Sequence, residues 1–117
     1  MHPAALFLGP ATNPEKAEKA LEKKDYEVEV ADGNTELAMY EMLGVKDLEC
    51  VVTGYNEEDE DDAIVIFYFK DKEAAEAGYE ALEDYAEEIG EEVEDFVFKK
   101  SGKLVYMGTK TAVAASR

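Results

Sequence analysis

The chain has one histidine, one cysteine, two serines and no tryptophan, and each scarcity removes a class of chemistry. Without a second histidine or cysteine to join His2 and Cys50, no zinc set of the usual His/Cys kind can form, and no intrachain disulfide exists. Ser101 falls in a turn sequence and Ser116 at the tail, so a Ser–His–Asp arrangement is excluded within the chain. Neither "GPATNP" nor "SGK" has the spacing of a phosphate-binding loop. No apolar run approaches the roughly 18 residues of a membrane span. Ala4 to Leu8 is too short, and has no Lys or Arg before it, to read as a signal peptide. These absences lead us to expect a soluble protein, with the cytoplasm favoured, that is not an enzyme and takes no cofactor. Cys50, between Leu48 and Val52, reads as a small buried hydrophobe.

Positive charge is also scarce. Twelve bases face 29 acids, giving a formal charge of −17 and a pI near 4.2. That field repels nucleic acid and anionic membranes and attracts basic surfaces, but it does not dictate a fold. The 46% apolar fraction is ordinary for a globular protein. A length of 117 residues suits one domain with a modest core. We expect a flexible segment over 1–12 and a single α+β domain over 13–117.

Within that domain the periodicities are clear. Asn13 followed by Pro14 starts a short helix over 14–24. "YEVEV" at 26–30 alternates as a strand with one wet face. Asn34 or Thr35 caps a helix over about 35–43, and Gly44 suits the left-handed residue beyond it. "DLECVVT" alternates again, and "AIVIFYFK" at 63–70 is apolar on both faces, as befits the middle of a covered sheet. Asp71 caps the longest helix, about 72–89, with Ala75, Gly78, Leu82, Tyr85 and Ile89 as its inward stripe. "DFVFKKSGKLVYMG" is a hairpin turning at Ser101–Gly102, and Thr109 caps a last helical stretch. This order predicts a ferredoxin-like βαββαβ sandwich, with an added C-terminal hairpin strand and short N- and C-terminal helices.

Two acidic features are the candidate site. The first is the unbroken run Glu57, Glu58, Asp59, Glu60, Asp61, Asp62. It fits no EF-hand register: counted from Asn56, position 6 is Asp61 where a glycine is needed, and counted from Asp59, position 5 is Ala63. It reads as an exposed hairpin connection, with a protein contact as the second reading. The second is the long helix. Glu73, Glu76, Glu80, Glu83 and Glu87 descend one face with Asp84 and Glu88 beside them, and no base appears between Lys72 and Lys99. Like-charge neighbours one turn apart cost about 0.2–0.5 kcal/mol each, so a solvated face usually mixes signs. The five glutamates span about 21 Å, roughly one charge per 5 Å, the order of the ~3.4 Å phosphate spacing along a DNA strand.

Three function classes follow. The first is an acidic domain that binds a basic protein surface, including imitation of a nucleic-acid backbone. The second is a small-molecule cleft or a homodimer on a sheet face left open by the central unit. The third is a structural module whose acids only keep it dispersed. Lys99, Lys100 and Lys103 gather at the hairpin tip, with no interleaved aromatics to make an RNA site.

Overall fold

In the computed structural model, which describes residues 9–117, the chain is an α+β fold. Its elements are α1 (Pro14–Lys23), β1 (Tyr26–Ala31), α2 (Asn34–Glu41), β2 (Leu48–Asn56), β3 (Asp59–Phe69), α3 (Lys72–Gly90), β4 (Phe96–Ser101), β5 (Leu104–Thr109) and α4 (Lys110–Ala115). Three helix caps are those read from the sequence. Asn13 Oδ1 accepts from Glu15 N at 2.8 Å, Asp71 Oδ1 from Ala74 N at 2.8 Å, and Thr109 Oγ1 from Ala112 N at 3.2 Å. The fourth moves by one residue: Gly33 caps α2, with its N–H donated to Glu36 Oε1. Gly44 takes φ +91° beyond that helix, as its position predicts.

The sheet runs β1-β2-β3-β5-β4, every neighbour antiparallel. A ferredoxin-like unit interleaves both of its helix-connected strand pairs. Only the second half of the chain does so, where β5 lies between β3 and β4. In the first half β1 and β2 pair directly and antiparallel, with Val30 opposite Val52, so the predicted arrangement is not the one adopted. The observed order places the two-sided apolar strand β3 at the centre. It leaves β1, with exposed Glu27 and Glu29, at one edge and β4, with exposed Lys99 and Lys100, at the other. Charged edges also discourage pairing between sheets.

Each face of the sheet has its own core. On one, Ala17 and Leu21 of α1 and Ala112, Val113 and Ala115 of α4 cover Val52, Ile64, Ile66 and Tyr68. Leu21 packs against the bare backbone of Gly54, where a Cβ would come within 2.9 Å of it. On the other, Leu37 of α2 and Ala75, Leu82 and Ala86 of α3 cover Val51, Phe67, Phe69 and Val105. The terminal helices therefore cover the face that the sequence left in question. The segment before α1 joins this layer: Ala11 donates its N–H to Ser116 O at 3.0 Å, and its carbonyl accepts from Tyr68 Oη at 2.9 Å. Residues 1–8 of the expected flexible segment, His2 among them, lie outside the described residues.

The inward stripe of α3 keeps Ala75, Gly78 and Leu82 of the predicted one, has Ile89 half-buried, and departs at Tyr85. Ala75, Gly78, Leu82 and Ala86 are buried, while Tyr85 is 56% exposed. The helix approaches β3 so closely that a Cβ on Gly78 would lie 2.7 Å from Cε1 of Phe69. Contact that tight admits small side chains, and Ala86 takes the place the periodicity gave to the tyrosine.

Candidate anionic surface

The acid block is not one loop. β2 and β3 form a hairpin whose tip is Glu57–Glu58, and β3 already begins at Asp59. Tyr55 pairs with Ala63 but Asn56 pairs with Asp59, so Glu60, Asp61 and Asp62 form a bulge. Short polar side chains fold this tip locally. Asn56 Oδ1 accepts from Glu58 N at 2.9 Å and Asp59 Oδ1 from Asp61 N at 3.2 Å.

Glu57, Glu58, Asp59, Glu60 and Asp61 are exposed, whereas Asp62 turns inward and is half-buried. Its Oδ2 accepts from Tyr26 Oη at 2.7 Å and from Asn56 Nδ2 at 3.3 Å. Its Oδ1 accepts from Thr109 Oγ1 at 2.6 Å, the same hydroxyl that caps α4. One carboxylate thus ties β1, β2 and the β5–α4 junction to β3. Asp62, grouped with the contact residues by sequence, is a fastening inside the fold.

On α3, Glu73, Glu76, Glu80, Glu83, Asp84, Glu87 and Glu88 are all exposed. At about 100° per residue, Glu73, Glu80, Asp84 and Glu87 point most directly away from the buried stripe and form a crest. Glu76 and Glu83 lean toward the side of Tyr79, whose ring stacks on Phe98 of β4 at 4.3 Å and lies 5.4 Å below Lys100 Nζ. Glu88 leans to the opposite side.

The structure also joins the helix to the acid block, through residues the sequence reading missed. The turn after α3 carries Glu92, Glu94 and Asp95. Glu92 N and Val93 N bond to Ile89 O at 3.0 and 3.1 Å, and Asp95 O accepts from Lys110 N at 2.9 Å. These bonds fix the turn to the end of α3 and the start of α4. Between this turn and the bulge lies an open groove of about 430 Å³ lined by Asp59, Asp61, Asp62, Glu92, Glu94 and Asp95, with Thr109 and Thr111 also on its wall. The run "EEVED" at 91–95 was the available signal. Among the described residues no group of three or more His, Cys, Asp or Glu is placed to hold a metal ion.

The groups whose acidity shifts all hold their protons more tightly. Burial pushes the Cys50 thiol up to about 11, helped by the negative charges of Asp32, Glu18 and Glu49. Burial and then the bond to Asp62 raise Tyr26. Burial also raises Tyr68 and Tyr106, opposed at Tyr106 by the Arg117 charge. A nucleophilic thiol needs the reverse, so Cys50 acts as packing. The hairpin lysines do not remain one patch: Lys99 borders a 200 Å³ recess with Val97, Tyr106, Lys110, Val113 and Arg117, while Lys100 covers Tyr79. Among the described residues no helix is long and apolar enough to cross a membrane. No family model, no curated protein and no solved structure matches the chain.

Proposed function

We propose that this chain is a non-enzymatic interaction domain that binds a basic protein surface through the crest of α3 and the groove beside it. The observation that carries the reading is the continuity of exposed charge of one sign. It runs from Glu73 along α3, through Glu92, Glu94 and Asp95, to Asp59 and Asp61. Four like pairs one turn apart on α3 (Glu76–Glu80, Glu80–Asp84, Glu83–Glu87, Asp84–Glu88) oppose the helix by about 1–2 kcal/mol together at low salt. Burial of Leu82 alone returns roughly 1.5–3 kcal/mol, so the docked helix tolerates the repulsion. A partner bearing lysine and arginine would relieve it. In this reading the axial spacing of the carboxylates lets the ridge imitate a nucleic-acid backbone toward a protein that normally grips phosphates.

The test replaces Glu76, Glu80, Glu83 and Glu87 with Gln and compares retention on immobilised poly-lysine and on a panel of basic proteins. The parent chain is expected to bind at low salt and elute as the ionic strength rises, and the variant to elute much earlier. Identical retention of the two proteins on every basic surface would end the contact role. Competition by duplex DNA for a nucleic-acid-binding member of the panel would establish the backbone-imitating form.

A further inference from the structure

The large apolar side chains exposed among the described residues are Met39 at 68%, Met42 at 87%, Leu43 at 60% and Tyr85 at 56%. Singly exposed apolar residues are normal, but three within five positions at the end of one helix are not. α2 turns Leu37 inward, keeps Tyr40 half-buried against the ring of Phe67, and presents Met39 outward where a surface helix ordinarily carries polar residues. This cluster borders the acidic crest. Gly44, bonded to Leu43, lies so near α3 that a Cβ there would be 3.8 Å from the Cβ of Ala81. Ala81 is exposed, with Glu80 beside it, Asp84 a turn along, and exposed Ala77 and Tyr85 on the same flank of the helix. Apart from Glu88, the flank of α3 toward α2 is therefore apolar, and its crest is anionic.

We infer that this apolar patch and the crest beside it together receive a basic amphipathic helix of a partner protein. The inference rests on the proposed binding of basic surfaces and names the kind of segment that fits. Methionine packs against varied apolar shapes, so Met39 and Met42 suit the apolar stripe of a docked helix. The partner's cations then face Glu80, Asp84 and Glu87. The crest, about 21 Å from Glu73 to Glu87, matches about four turns of such a helix. A second copy of this chain is a poor occupant, because two molecules of charge −17 repel each other.

Two synthetic peptides of identical Leu/Lys composition test this, one with its leucines in a single helical stripe and one scrambled so that no face forms. Titration calorimetry at about 0.1 M salt is expected to show the striped peptide binding at least about tenfold tighter to the parent chain. The triple variant Met39→Gln, Met42→Gln, Leu43→Gln should lose that preference while still binding both peptides. Glu80→Gln, Asp84→Asn, Glu87→Gln should weaken both. Equal binding of the two peptides by the parent chain overturns the docking and leaves the acidic-surface reading standing. Binding of neither overturns both. Sedimentation that shows a dimer, dispersed by the triple variant, gives the patch to a second copy and overturns the proposal. The substituted side chains are largely exposed, and an unchanged denaturation midpoint verifies the fold. The two-peptide comparison on the parent chain decides the matter even if a variant fails to fold.

Discussion

The carboxylate of Asp62 accepts hydrogen bonds from Tyr26, Asn56 and Thr109, whereas Glu73, Glu80, Asp84 and Glu87 lie exposed along α3. Both sets are carboxylates in the same negative field, and only their surroundings differ. Asp62 joins two partly buried hydroxyls and an amide from three other strands, while the acids of α3 repel each other. The stability of the fold should therefore depend steeply on the first set and run against the second. Asp62→Ala has the largest expected effect, a loss of roughly 2–4 kcal/mol, because it strands the hydroxyls of Tyr26 and Thr109 and weakens the cap of α4. Urea denaturation measures it. A loss below about 0.5 kcal/mol, the range of ordinary surface changes, would place Asp62 with the displayed acids.

The thiol and phenol groups on the α1–α4 face extend the comparison to alkaline pH. Cys50 keeps its proton to about 11 when folded, against an ordinary value of 9.0, and Tyr26 and Tyr68 are raised as well. Between those values the folded state binds more protons than the unfolded one, so stability is full below about pH 9 and falls as pH rises from there. The slope for each group is at most about 1.4 kcal/mol per pH unit. Denaturation midpoints measured from pH 8 to 11 should decline, and Cys50→Ala should flatten the part of the decline between about 9 and 11. A midpoint that stays level across that range would refute the account of a face closed over protonated groups.

Neutralising the displayed set should have the opposite sign. Replacing Glu76, Glu80, Glu83 and Glu87 with Gln removes three of the four like pairs and leaves Asp84–Glu88, so it is expected to stabilise the fold by about 0.6–1.5 kcal/mol at low salt, and by little in 1 M salt, where the screening length falls to about 3 Å. Thermal melts of both proteins at the two salt concentrations would read this. Destabilisation at low salt would mean that those carboxylates have partners within the fold and are not displayed.

What the sequence disclosed follows the range of the forces involved. Helix caps depend on neighbours two or three residues away, and Asn13, Asp71 and Thr109 cap as their positions predict. The apolar run of β3 signalled a central strand, which it is. Strand order is set by which edges meet across long separations. There the alternation of Glu27 and Glu29 marked a wet face but not a neighbour, and the order of helices and strands pointed to a pairing that β1 does not make. The displayed acids of α3 were legible because one face of one helix carries them. The groove was not, because Asp61 and Glu92 are far apart in sequence and meet only through the bulge and the turn after α3. The role of Asp62 stayed hidden for a related reason: its three donors come from positions 26, 56 and 109. In a run of six identical charges nothing local marks the one that turns inward.

The smallest expected effect is also the sharpest control on that point. Asp61 precedes Asp62, shares its bulge and carries the same charge, but its side chain is exposed and only its backbone N–H is engaged, donated to Asp59 Oδ1. Asp61→Ala keeps that N–H and should change stability by less than about 0.5 kcal/mol, while Asp62→Ala in the same experiment costs several times more. If the two substitutions cost the same, the importance of this stretch would lie in the backbone shape of the bulge, which alanine alters equally at either position, and not in the bonds of one carboxylate. Asp62→Asn separates these further. It has almost the same shape and keeps one carbonyl acceptor but loses the charge, so it should fall between the two alanine variants if charge-assisted hydrogen bonds hold the junction.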